Sequence, residues 1–385
     1  MNIITTTEAL AGFCNACATQ PYVTVDTEFL RERTYFAQLC LVQMAYPGEG
    51  ERNAAIIDVL APGIDLAPMY ELFRNRDVVK VFHAARQDLE IFCIEGNVIP
   101  EPFFDTQIAA MVCGFGEQVG YETLVRKIAK ASVDKSSRFT DWSRRPLSDK
   151  QLHYALSDVT HLRDVYEFLS DKLEETGRTS WVEEEEAILT DPATYRVEPA
   201  EAWLRVKTRT TSPRFLAVVR ELAELCERTA QERNIPRSRI FKDDAIMELA
   251  STKPQSIDDL GKSRLLLREA RKGKLAEDIV AAVKRGVTCA EEKLPIAVEP
   301  RAKKPGTEGL ADLLRVLLKA EAERSGVAQK LIATSADLDA IANDETDVPA
   351  LHGWRYEVFG ADAERLKQGK IALSAKGNSV KIIKL

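Results

Sequence analysis

Residues 22–29 read Tyr-Val-Thr-Val-Asp-Thr-Glu-Phe, and the rest of the chain is parsed outward from this run. Its β-branched and aromatic residues favour a strand. Residues two apart on a strand point to the same side, so Asp26 and Glu28 share a face, roughly 6–7 Å apart along the chain. Two acids so placed repel each other unless a cation lies between them; the alternative is the polar face of an edge strand. Residues 35–45 (YFAQLCLVQMA), 54–59 (AAIIDV) and 78–82 (VVKVF) are further short apolar runs, with Pro47, Gly48 and Gly50 marking a turn. The first three runs follow one another with no helix between them, which predicts an antiparallel meander. A helical stretch near 66–75, a fourth strand and helices from 84–94 onward complete an α/β unit, a mixed sheet flanked by helices.

Beyond Asp105 the spacing of apolar residues predicts helices over 106–113, 120–130 and 148–174. Ser148 and Gln151 form a capping-box pattern at the start of the last one. The acidic run Glu183–Glu186 reads as a solvated helix face or linker. Residues 212–290 contain only helical patterns, with Phe215, Leu216, Val219, Leu222 and Leu225 on one face of the first helix. Three prolines and mixed charge mark 291–308 as a linker, and an amphipathic helix opens another module at Leu310. The expected organisation is the α/β unit over 1–175, a helical linker over 176–211, an all-α module over 212–290, a linker over 291–308 and a second all-α module over 309–385. The two helical modules are similar in length, which hints at duplication, but no residue-level repeat proves it.

A chain of 385 residues, 45% hydrophobic and 29% charged, is of ordinary globular composition and suggests two or three domains. No apolar stretch approaches the ~18 residues of a membrane helix, and the first twenty residues lack the pattern of a signal peptide. The expectation is a cytoplasmic protein with no membrane partner. Of seven cysteines, Cys14 and Cys17 form a CxxC inside an amphipathic helical pattern, without a second pair or histidines at ligand spacing. They read as reduced, packed residues. Net charge is −7, yet residues 213–290 carry 16 Lys+Arg against 12 Asp+Glu, or +4, leaving −11 elsewhere. A basic module on an acidic body is compatible with local phosphate binding and equally with uneven surface charge.

Three more residues join the first two acids. Asp88 lies in KVFHAARQDLEIF, where a strand leads into a helix. It can face inward beside Asp26 and Glu28, or simply favour the helix dipole. Tyr154 and Asp158, in LHYALSDVTHL, are one helical turn apart and share a face among apolar neighbours. Burying that acid is costly unless something satisfies it, and a metal would; an ordinary Tyr–Asp contact is the alternative. Phosphodiester hydrolysis with two metals needs carboxylates that hold two cations about 3.5–4 Å apart, and hard ions such as Mg²⁺ or Mn²⁺ suit them. With a reference pKa near 10, Tyr154 suits positioning of the attacking water better than deprotonating it.

The ordered set, Asp-x-Glu on a strand, Asp at a strand–helix junction and Tyr-x-x-x-Asp on a later helix, is the tyrosine-type DEDD exonuclease pattern. With VDTEF, FHAARQDLEIF, FFDTQIAA, GYETLV and DWSRRPLSDKQLHYALSDVTHL, the chain resembles the ribonuclease D family over essentially its whole length. The segment FLAVVRELAELCERTAQERNIPRSRIFKDDAIMELASTKP resembles the helical HRDC domain that this family shares with some helicases. The resemblance implies an RNase H-like catalytic fold, followed by two HRDC-like all-α domains, the second divergent. It further implies 3′→5′ removal of nucleotides as 5′-nucleotides, tRNA precursors and other small structured RNAs with a free 3′ end as substrates, and two divalent ions. Asp26, Glu28, Asp88 and Asp158 would then hold metal, Tyr154 would position water, and Phe29 would lie against the terminal nucleotide. His83, Arg144 and Arg145 are further candidates for phosphate contacts, against packing for the histidine and a solvated turn for the arginines. GFGEQVG has its third glycine one place too late for a dinucleotide fingerprint and reads as an inter-helix loop. A monomer is expected for an enzyme that must admit a strand end. A DNA exonuclease and a catalytically silent RNA-binding adaptor are the competing readings.

Overall fold

The computed structural model describes residues 1–137, 140–296 and 304–385. Strand β1 (Ile3–Ile4) and helix α1 (Thr7–Cys17) precede the expected meander, β2 (Tyr22–Leu30), β3 (Gln38–Ala45) and β4 (Ala54–Ile57). Helix α2 (Ala67–Arg74), β5 (Val79–Phe82), α3 (Arg86–Glu95) and β6 (Phe103–Asp105) complete a six-stranded sheet of order β1-β4-β3-β2-β5-β6. The meander pairs antiparallel, whereas β1, β5 and β6 pair parallel to their neighbours, so the sheet is mixed. Neither β1 nor β6, at two and three residues, was expected from the sequence.

Both faces of the sheet are covered, which is why β3 is almost entirely buried. Val23, Val25, Val42 and Met44 pack against Leu10 and Cys14 of α1, Phe73 of α2 and Phe92 of α3. The opposite face meets α6 (Asp149–Thr176), reached through α4 (Thr106–Val112) and α5 (Tyr121–Lys127). Ser148 opens α6 with the expected capping box. Leu152, Leu156 and Val159 of α6 pack on Cys40, Leu41 and Ile56. Cys40 and Leu41 are consecutive yet face the same way, because the β2–β3 register slips between Glu28 and Phe29 and leaves Cys40 unpaired, a β-bulge. Cys14 and Cys17 are buried free thiols within α1. Lys80, fully buried in β5, donates to the carbonyls of Asn75, Val78 and Glu101 at 2.7, 2.8 and 2.5 Å, so its three N–H donors are satisfied.

The acidic run departs from expectation in part. Residues Thr179–Glu186 form α7, and Glu186 is buried, accepting the backbone N–H of Asp105. Glu184 and Glu185 pair with Arg355, beside stacked Trp181 and Trp354 rings 4.8 Å apart. Glu183 and Glu184 lie on the exposed face of the helix, as expected, whereas Glu185 and Glu186 turn inward to dock an arginine and an amide. Residues 187–206 are three short 3₁₀ turns whose Leu189 and Tyr195 enter the catalytic core and whose Ala202 and Val206 enter the next one.

That next core is helical: α8 (Pro213–Glu232), α9 (Arg237–Ile240), α10 (Asp243–Thr252), α11 (Ile257–Leu260) and α12 (Gly273–Val287). Gly286 of α12 lies so close to α8 that a Cβ would fall 2.5 Å from the Cα of Val218. Of the expected linker 291–308, residues 297–303 lie outside the described residues. The last module begins with α13 (Glu308–Ser325), α14 (Gln329–Ile332), α15 (Ser335–Ala342) and α16 (Gly353–Arg355). A π-helical turn (Tyr356–Gly360) leads into α17 (Ala361–Lys367). It is not all-α: β7 (Ile371–Lys376) and β8 (Ser379–Lys384) form an antiparallel hairpin. Alternating residues and a turn at Gly377, which has positive φ, override helix formation there. Among the described residues no helix is long and apolar enough to cross a membrane.

Candidate active site

The alternation of β2 places Tyr22, Thr24, Asp26 and Glu28 on the face toward α6, and hydrogen bonds fix the helix along that face. The Tyr22 hydroxyl donates to Glu167 at 2.6 Å, and the Thr24 hydroxyl, near Ala45 O, donates to Val159 O at 2.8 Å. One residue before Val159, Asp158 therefore comes to rest over Asp26 and Glu28. Carboxylate oxygens of these three acids all lie within 4.8 Å of one another.

Asp88 approaches from the other side. It sits in the first turn of α3, buried, and accepts the hydroxyl proton of Thr27. Burial and the neighbouring Asp26 push its pKa well above the usual carboxylate range, and burial raises that of Asp26 to about 7. The turn before α3 is held by Asp105, whose carboxylate accepts from Ala84 N and Ala85 N, both at 2.9 Å, and from Gln107 N at 2.8 Å. Ala84 has φ +60°, so these bonds secure a conformation that non-glycine residues rarely adopt.

The acids line a cavity of about 560 Å³ with Phe29, His83 and Tyr154 on its walls. Tyr154 stacks on Trp142, ring centroids 6.0 Å apart, and burial with Asp158 and Glu28 nearby raises its pKa, so it stays a protonated phenol. His83 is a packed residue: Nδ1 lies 3.0 Å from Thr106 Oγ1, its ring is 5.6 Å from Tyr121, and burial lowers its pKa. The two arginines are not brought to the cavity. Arg144 pairs with Asp141 at 3.1 Å; Arg145 grips Asp58 with two nitrogens at 2.8 and 2.7 Å and also donates to Cys40 O at 2.9 Å. Arg145 is thus a tie between the loop before α6 and the sheet, and its donors are spent there.

Residue-by-residue reading missed three neighbours. Tyr121, whose hydroxyl donates to Ser157 O at 2.9 Å, lines the cavity beside Asp158, as does Trp142. Gln43, in register with Asp26, is fully buried with an amide that finds no hydrogen-bond partner among the described residues. The only sequence signal for Tyr121 and Trp142 was their place in the GYETLV and DWSRRP segments. For Gln43 it was a polar residue inside an otherwise apolar strand.

Comparison with known proteins identifies the family. A family model for 3′-5′ exonucleases matches residues 1–174, and one for HRDC domains matches 215–283. The chain is 62% identical over 382 residues to ribonuclease D of Jannaschia sp. (strain CCS1), covering 99% of each. It is 48% identical to that of Granulibacter bethesdensis, covering 99% of this chain and 96% of the other. The crystal structure of Escherichia coli RNase D, an exoribonuclease involved in structured RNA processing, superposes with a TM-score of 0.82 at 28% identity, covering 96% of this chain and 99% of that one. One HRDC match is found, so the expected second HRDC domain is not confirmed. The family model and these relatives place the chain in the ribonuclease D family, and it is a metal-dependent 3′→5′ exoribonuclease.

Proposed function

We propose that the enzyme trims the 3′ ends of tRNA precursors and other small structured RNAs, hydrolysing one phosphodiester at a time and releasing 5′-nucleotides. The observation that carries the chemistry is the convergence of Asp26, Glu28 and Asp158 within 4.8 Å at the base of a cavity. The donor set fits hard divalent cations: all are carboxylates, and neither Asp26 nor Asp88 has an Arg or Lys among the groups that set its pKa. Asp26, Glu28, Asp158 and Asp88 would hold two Mg²⁺ or Mn²⁺ ions, which when bound activate water and stabilise the leaving oxygen.

The chain's own residues supply orientation. The Tyr154 hydroxyl, kept protonated and fixed by Trp142 and Asp158, aligns the attacking water rather than removing its proton. Phe29 offers a ring face to the terminal base. His83 serves as wall. The named activity of the relatives supports RNA as the polymer, and the E. coli relative's role in structured RNA processing supports the substrate class.

The test uses 3′-labelled RNA and DNA of one sequence, with Mg²⁺, with Mn²⁺ and with EDTA. Nucleotide release from RNA, much slower release from DNA and none in EDTA are expected. Equal release from both polymers, or release that persists in EDTA, sinks the reading.

A further inference from the structure

After β2 the chain leaves the catalytic cavity and, over residues 31–36, forms one wall of a second cavity of about 690 Å³. Arg31 and Glu32 line both cavities, so the two are contiguous. The facing wall comes from α8, the residues just beyond it and the segment leading to it, including Arg205, Glu227 and Arg237. It is a built interface. Asn234 Oδ1 accepts the backbone N–H groups of Tyr35 and Phe36 at 3.1 and 3.0 Å, the Tyr35 hydroxyl donates to Glu227, and Gln231 Nε2 donates to Val197 O at 2.8 Å.

The charges sort into used and available. Glu90 accepts from both terminal guanidinium nitrogens of Arg31, and Glu227 pairs with Arg237 at 3.2 Å. Arg205 is exposed and has no ion pair among the described residues. It stands against the module whose residues 213–290 carry the chain's excess of positive charge. Phe36, partly buried, lines the cleft and meets Tyr35 in an edge-on contact with centroids 4.8 Å apart.

We propose that this cleft is a second subsite for the substrate strand, binding the unpaired nucleotides that precede the 3′-terminal one; the inference rests on the RNA-trimming reading above. Arg205 contacts a phosphate and Phe36 stacks on a base. Exposed Glu32 and Glu198 at the rim are acceptors suited to exocyclic amino groups of bases, and they limit the cleft to about one phosphate contact.

The test measures KM and kcat of the full-length enzyme on single-stranded RNAs from two to about ten nucleotides. Arg205→Ala should raise KM on the longer RNAs about threefold to fivefold at low salt, leaving kcat and the dinucleotide unchanged. The slope of log KM against log salt should fall by about 0.7. Arg205→Lys should restore most of the loss, and Phe36→Ala should raise KM over the same lengths by about fivefold or more. Wild-type KM in both alanine variants at every length, or an equal change on the dinucleotide, overturns the subsite. Equilibrium binding of the same RNAs to Asp158→Asn and to Asp158→Asn/Arg205→Ala reads the cleft without turnover. A wild-type enzyme that shortens no RNA would overturn the proposed function, while this binding difference would still decide the subsite.

Discussion

Asp26 and Asp105 stand on β2 and β6, two places apart in the same sheet, and they behave as opposites. Asp105 is buried with its oxygens filled by three backbone N–H groups, from Ala84, Ala85 and Gln107, and its own N–H is taken by Glu186. Asp26 receives a backbone hydrogen bond from Thr27 and otherwise faces Glu28, Asp88 and Asp158. The same side chain is scaffold where the backbone satisfies it, and is proposed as a cation ligand where other acids crowd it. Asp105 is buried and Asp26 is partly exposed at the cavity, but that difference alone does not assign their roles. The identity of the partners does.

The widest break in this comparison should come from neutralising each acid in turn. Asp26→Asn or Asp158→Asn should lower nucleotide release from 3′-labelled RNA by about 10³-fold or more while leaving the circular dichroism spectrum and urea midpoint near wild type or higher. Normal turnover in either variant would contradict the metal assignment. Asp105→Ala should do the reverse in kind, costing about 2–4 kcal/mol in urea unfolding by orphaning buried N–H groups, with no recovery on adding Mg²⁺ or Mn²⁺. A variant as stable as wild type would make Asp105 dispensable to the turn at Ala84.

A subtler contrast lies in pH. Asp26 is raised to about 7 in the folded protein, against about 3.9 for a free aspartate. Its protonated form favours the fold, so that stabilisation is complete below about pH 4 and is lost as pH rises through 7. Metal-free enzyme should therefore lose Tm over this window, and Asp26→Asn should flatten the loss. Divalent metal at about 100 times its Kd should restore about 2–3 kcal/mol at pH 8 and less at pH 5, where protons compete. Thermal scans with and without EDTA check this; a metal shift of equal size at both pH values would show that these acids are not the ligands.

Much of the site was legible because it depends on periodicity. Asp26 and Glu28 share a face by the two-residue repeat of β2, and Tyr154 and Asp158 by the turn of α6. The residues that escaped depend on what arrives from elsewhere. Glu186 reads as solvated until Asp105 meets it, and Arg145 reads as a phosphate contact or a solvated turn until Asp58 takes two of its three guanidinium nitrogens. The C-terminal hairpin carried its own signal, the alternation of residues 371–384 around Gly377, and was absorbed into the helical pattern preceding it. Strands β1 and β6 are too short to carry any pattern and exist through their pairing with β4 and β5.

The hydroxyl of Thr24, which anchors α6 at Val159, has a consequence for the order in which the enzyme becomes dangerous to RNA. Asp26, Glu28 and Asp88 are all translated well before Asp158, which follows Asp26 by 132 residues. A chain still on the ribosome that has not yet exposed α6 holds three acids and no closed cluster. On the proposed two-metal reading, docking of the long helix is the step that completes the site.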